Sequence, residues 1–164
     1  SIFSNTNDEL DFRYNGSSRM MLTKDGYVLK PNQPSFHAYR SSTQSISGQV
    51  VFALNSTLHN IGGHYDTSTY QFTAPVTGSY FFSFKAFLYS MGTSEYFDFY
   101  PQVNGSNRRR YELTGNGGFH TQFDYSDVYY LNANDTVRMT GTDRSTGSYS
   151  LYPSENHFAG FLLG

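Results

Sequence analysis

Residues 65–83, YDTSTYQFTAPVTGSYFFS, show the pattern on which the rest of the chain is read. Residues 69–73 combine β-branched and aromatic side chains and predict a strand. Ala74-Pro75-Val76-Thr77-Gly78 predicts a turn, because Pro fixes φ and Gly supplies room. Residues 79–89 then predict a longer strand that does not alternate. Tyr80, Phe82, Phe84, Ala86 and Leu88 on one face are matched by Phe81, Phe87 and Tyr89 on the other. A core covers one face of a sheet in a small antiparallel domain, so the second apolar face points to another sheet or another copy of the chain.

Two further segments share this double coverage. In residues 119–131, Phe119, Phe123, Tyr125 and Tyr129 fall on one parity and Val128 and Tyr130 on the other. In residues 158–163, Phe158 and Leu162 oppose Ala159, Phe161 and Leu163. Between them the pattern predicts a strand in PSFHAYR (34–40), a polar loop in SSTQSISG, and short strands of one sheet at 50–55 and in YQFTA. Further strands are predicted at 96–103, 108–113 and 135–142, with a turn at 132–134. The RRRYEL segment at 108–113 has one largely polar face and reads as an outer strand, its Arg108-Arg109-Arg110 run solvated. Residues 1–33 differ: LDFRY, RMMLT and YVLKP are separated by Asn15-Gly16 and Asp25-Gly26, both hairpin signals. The expected division is a β-hairpin shaft or linker at 1–33 and a globular β-sandwich at 34–164.

With these elements in place, GHYDTSTYQFTAPVTGSYFFSF, Val103-Asn104-Gly105, Asn134-Asp135-Thr136-Val137 and FAGFLL resemble the globular-head domain of the complement q-subcomponent and its tumour-necrosis-factor-like relatives. The resemblance runs from about Pro34 to Gly164. It implies an all-β, ten-stranded jelly roll that forms homotrimers and acts by binding, with the doubly covered strands in its inner, axis-facing sheet. The stretch RMMLTKDGYVLKPNQPSFHAY more loosely resembles the junction in bacteriophage tail-fibre proteins where a β shaft meets a globular tip. No collagen-like Gly-X-Y repeat precedes the domain within the chain.

Composition narrows the function. The 164 residues suit one domain and an appendage, and the net charge of −2 gives no drive toward nucleic acid or an anionic membrane. No apolar run approaches the roughly 20 residues that span a bilayer. The 15 Phe and 15 Tyr outnumber Leu, Ile and Val together, so rings must fill core and interface; cysteine is absent, so packing and association replace disulfides. The chain does not begin with Met and is expected to be part of a longer one.

Catalytic readings are weak. Glu95 with Asp98 and Asp124 with Asp127 would suit a polysaccharide-cleaving enzyme only if each pair flanked a cleft; solvated acids are expected instead. His59, His64 and Asp66 fit no usual zinc spacing, and His37, His120 and His157 read as surface or interface hydrogen-bonding groups. Some relatives implied by the resemblance bind calcium through acids in the loop at 114–118, which here has no carboxylate; Glu95 and Asp143 would be the nearby acids for a hard cation. No cofactor and no bound metal are expected. Asn-x-Ser/Thr triplets at Asn15, Asn55, Asn104 and Asn134 matter only in an animal secretory pathway.

The expected activity is therefore non-enzymatic: a homotrimeric tip of a phage or viral tail fibre, in the virion, that grips a host glycan or protein. The alternative is a secreted complement-head-like module that binds a protein partner in signalling or defence. Loops at 90–95, 114–118 and 143–156 should lie at the tip, with Met91, Thr93, Glu95, Asn116, Asp143, Arg144, Tyr149 and Tyr152 as receptor-contact candidates. Tyr80, Phe82, Phe84, Phe123, Tyr125, Phe158 and Phe161 are the candidates for core or trimer interface.

Overall fold

The computed structural model describes residues 2–4, 9–118, 120–145 and 149–164. It divides into two compact units, Ser1–Gln33 and Pro34–Gly164. Phe119, expected on the same parity as Phe123 and Tyr125, lies outside the described residues, as do residues 146–148 of the 143–156 loop.

The first unit is a four-stranded antiparallel meander of β1 (Ile2–Ser4), β2 (Leu10–Tyr14), β3 (Ser17–Leu22) and β4 (Val28–Leu29). Asn15 and Gly16 both take positive φ, 48° and 77°, the requirement of a two-residue turn whose twist matches its strands. Asp11 is clasped beneath that turn: Arg13 Nε donates to Oδ2 at 2.6 Å and Ser18 Oγ to Oδ1 at 2.7 Å.

The second unit is a sandwich of two seven-stranded sheets. In chain order its strands are β5 (Ser35–Tyr39), β6 (Gln44–Ile46), β7 (Gln49–Val51), β8 (Ser56–Ile61), β9 (Tyr65–Asp66), β10 (Gln71–Thr73), β11 (Gly78–Tyr89), β12 (Tyr96–Val103), β13 (Ser106–Asn107), β14 (Tyr111–Thr114), β15 (His120–Leu131), β16 (Thr136–Asp143), β17 (Tyr149–Leu151) and β18 (His157–Leu162). The chain crosses repeatedly between the sheets, the wiring of a jelly roll. The three segments that read as doubly covered, β11, β15 and β18, are neighbours in one sheet: β15 lies along all of β11 on one side and β18 along its first half on the other.

Between the sheets lies an aromatic core. From β5, β11 and β18 come Phe36, Tyr80, Phe82, Phe84 and Phe158; Phe72, Phe97 and Phe99 face them from β10 and β12, all nearly sealed from water. Phe99 stacks on Phe123 at 4.0 Å and 8°, and Phe82 on Phe158 at 5.6 Å and 21°. Tyr80, Phe82, Phe84, Phe123, Tyr125 and Phe158 thus point inward as core, whereas Phe161 points outward.

Four local expectations are corrected. The polar SSTQSISG segment is not wholly a loop, because Gln44–Ile46 pairs with β17 and Ile46 drops into the core. The strand expected at 50–55 ends at Val51: Phe52 and Leu54 both turn inward, and the Leu54 amide bonds the Phe52 carbonyl at 2.9 Å in a tight bend. The arginine run forms no strand; it bridges β13 and β14, which pair with different ends of β12. The β8 strand was unmarked because Ser56–Ile61, STLHNI, alternates poorly, with Leu58 at a bulge opposite His37/Ala38.

Candidate functional site

The domain's two ends are defined by pairing. Ser35 pairs with Phe161, and the Ser79 amide bonds the Gly164 carbonyl, so the chain enters and leaves the sandwich at one end. At the other end Tyr89 pairs with both His120 and Ser150, which gathers the loop residues 90–95, 115–118 and 144–145.

These loops clasp one another. A Cβ on Gly115 would fall 2.0 Å from the Gly92 carbonyl oxygen, so glycine alone permits that close approach, and the Gly115 amide donates to the Glu95 carbonyl at 2.9 Å. Ser90 sits at φ 65° between Tyr89, fixed in the sheet, and Met91, sealed in the core. A small hollow of about 230 Å³ is lined there by Ser90, Met91, Gly92, Gly117 and Gly118.

Several expected contact residues serve the loops rather than the surface. Met91 and Tyr149 are buried, so neither is available to a receptor; the expectation fails because an apolar residue and a ring are what anchor these loops to the core. Asp143 Oδ1 accepts the Tyr149 hydroxyl at 2.8 Å and the amide and hydroxyl of Ser145 at 2.9 and 2.8 Å. Glu95 Oε2 accepts the Gly92 amide at 2.5 Å. Each of the acids considered above for a hard cation thus has one oxygen committed to its own loop. Asn116 is exposed yet spans its own loop, to the His120 carbonyl, the Gly118 amide and the Thr121 hydroxyl. Thr93, Arg144 and Tyr152 are also exposed.

Arg144 has a second commitment that the sequence did not signal. Its Nε donates to Asp98 Oδ2 at 2.7 Å, with Arg110 Nη1 3.7 Å away and the Tyr100 hydroxyl at 3.1 Å. The two arginines and the tyrosine cover Asp98 on the outer face of the second sheet, burying it completely. Asp98 Oδ1 has no hydrogen-bond partner among the described residues, so the carboxylate depends on its arginines. Arg144→Ala should therefore destabilise the domain, since it strips the buried Asp98 of its nearest cation, and urea unfolding measures the loss.

The acid pairs do not make cleaving sites. Asp98 is sealed beneath arginine while Glu95 is turned onto its own loop, and Asp124 and Asp127 fall on opposite faces of β15. Asp66 is held to about pKa 2 by the Ser68 hydroxyl and amide, both at 2.7 Å. Among the described residues no three His, Cys, Asp or Glu side chains gather as a metal site.

The other notable surface is the outward face of the sheet that contains β11. Phe81, Val128, Phe161, Ile61, Tyr130 and Leu163 project from it. Tyr130 is 72 % exposed, Val128 50 % and Phe161 43 %, on a sheet whose other face is core. Toward the loop end the same face carries Phe87, Tyr89, His120 and Tyr152, with Phe87 and His120 only 4.7 Å apart between ring centroids.

A model of the family described as "C1q domain" matches residues 35–163. The chain belongs to the C1q domain family. Domains of this family form homotrimers, act generally as non-enzymatic binding modules and are typically extracellular. Solved structures of the same fold include the globular domain of zebrafish complement 1qA (19% identity, TM-score 0.62, 80% of this chain and 98% of that one). Murine APRIL is similar at 13% identity and TM-score 0.59, over 80% and 99% of the two chains. Eiger TNF from S. frugiperda follows at 10% identity and TM-score 0.58, over 81% and 94%. No curated protein matches the sequence. Among the described residues no helix is long and apolar enough to cross a membrane.

Proposed function

We propose that this C1q-family chain is a homotrimeric attachment module, the receptor-binding tip of a phage or viral tail fibre, with residues 1–33 as its shaft. The observation that supports this most is the loop cluster at the end of the domain remote from where the chain enters and leaves it. Its backbone is locked by Gly115, Glu95, Asp143 and Asn116, while Thr93, Arg144 and Tyr152 remain exposed. Rigid loops hold polar contacts at low entropic cost, and three copies at one end turn weak single contacts into avidity. The ligand class is a host-surface glycan or protein.

The second reading is a secreted module that binds a protein partner in signalling or defence, favoured by the similarity to the complement 1qA globular domain. The variant Thr93→Arg with Ser94→Arg tests the attachment face, because both positions are exposed and neither side chain supports the core. The expected result is loss of binding to intact bacterial cells with the assembled mass unchanged. Undiminished attachment by the variant would overturn the assignment of these loops. Absence of wild-type attachment to bacteria, with capture by animal-cell ectodomains instead, would favour the second reading.

A further inference from the structure

Four of the five histidines, His37, His59, His120 and His157, occupy outward positions of the one sheet that also presents the exposed rings. His37 and His59 face each other across β5 and β8, their rings 6.3 Å apart, and His157 on β18 lies 5.3 Å from His37. Register places this band between two apolar ones. On one side is the row Val128, Phe81 and Phe161; on the other are Phe87, Tyr89 and Tyr152. A body that covers both apolar bands must also cover the imidazoles.

We infer that the histidine band makes self-association through this face proton-dependent: copies of the chain hold together while the imidazoles are neutral and separate when they charge. This rests on the reading that the same face joins the copies.

The surrounding charges favour this direction. Facing the imidazoles are Lys85 from β11, Asp124 from β15, Tyr39 from β5 and Glu155 from the turn before β18; a hollow of about 530 Å³ is lined by His37, His157, Lys85, Tyr39, Leu58 and Glu155 among others. Asp124 stands directly opposite Lys85 in the β11–β15 ladder and favours a charge on His157, against the opposing charges of His37 and Lys85. Charged imidazoles would then crowd one another and Lys85, with only Asp124 and the exposed Glu155 to offset them. Burial, and then a neighbouring charge, already hold His37 and His157 below the usual imidazole range: His59 acts on His37, and His37 and Lys85 act on His157 against Asp124. Covering them in an assembly extends that burial. Because covering lowers the histidine pKa further, the separated copies take up protons first, so stability of the assembly is full above the separated copies' own value, which lies below 6.5, and falls as the pH drops through it.

Sedimentation of the full chain at about pH 8 and about pH 5 tests this, with circular dichroism recorded at both. The expected result is an increase in the apparent dissociation constant on the order of tenfold or more at the lower pH, with the protomer spectrum unchanged. The variant His37→Gln/His59→Gln/His157→Gln should lose that pH dependence, and His37→Gln alone should reduce it. An assembly equally tight at both values would overturn the switch and leave the assembly reading intact. A single copy at about pH 8 would overturn both. Separation on adding a chelator at about pH 8 would assign the histidines to a metal and overturn the proposal, as would loss of the protomer spectrum at about pH 5.

Discussion

Replacing Phe82 by alanine is expected to remove about 3–5 kcal/mol of stability, a large share of what a domain usually has. Phe82 is fully buried at the centre of β11, with the rings of Phe72 and Phe158 at 5.6 Å and those of Phe36, Tyr80 and Tyr129 between 6.3 and 6.4 Å. Across the ladder stands Gly160, where an added Cβ would fall 2.6 Å from the Phe82 ring. The ring therefore fills the place a side chain at 160 would take. Collapse around the vacancy is opposed on both sides, since β11 is held by β15 along its whole length and by β18 from Tyr80 to Lys85. A cavity that cannot close carries the full cost of lost contacts. Urea unfolding at one fixed protein concentration measures it, because an assembling protein changes apparent stability with concentration. A loss below about 1 kcal/mol would show that the rings repack and that the core is looser than its geometry implies. The complementary variant Gly160→Val should also destabilise, by overpacking the same spot.

How much of this was legible in the sequence follows from where the periodicity was strong. In β11 the two-residue period is unbroken, and Tyr80 to Leu88 separate from Phe81 to Tyr89 as inward and outward sets. In β15 and β18 the same reading put Tyr125 and Val128, and Phe158 and Phe161, on opposite faces without saying which face was inward. Short strands were lost because they carry too few residues to show a period. Gln44–Ile46 and Tyr149–Leu151 exist because each is the other's partner, a long-range fact that neither segment states alone. The same limit governed the tip. Met91 and Tyr149 looked like contact groups because loop residues lack a period from which burial could be read. Their neighbours gave a hint in hindsight: a Met or Tyr among Gly and Ser anchors a loop as readily as it greets a partner. The Asp98–Arg144 pair, 46 residues apart in sequence, left no local trace.

The rings on the outward face lead to the second large expected effect. Introducing Val128→Asp together with Phe161→Asp should reduce the mass in dilute solution from three copies to one while the circular dichroism of the protomer stays native. Both positions are about half exposed in the isolated chain, so a carboxylate at either meets water and the sandwich loses little. In the assembly the two carboxylates would stand on either side of Phe81, whose ring packs on Phe161 at 5.3 Å in the unaltered chain, with Lys85 further along the strand opposite Asp124. Burial of an unpaired carboxylate costs at least several kcal/mol, so two of them weaken association by on the order of a thousandfold or more. The neutral control Val128→Ala separates charge from lost area, since trimming a methyl pair at the rim of an aromatic face costs about 1 kcal/mol and should leave the assembly intact at micromolar concentration. An aspartate variant that keeps the wild-type mass would place the joining surface elsewhere, and with it the reason for rings on both sides of β11.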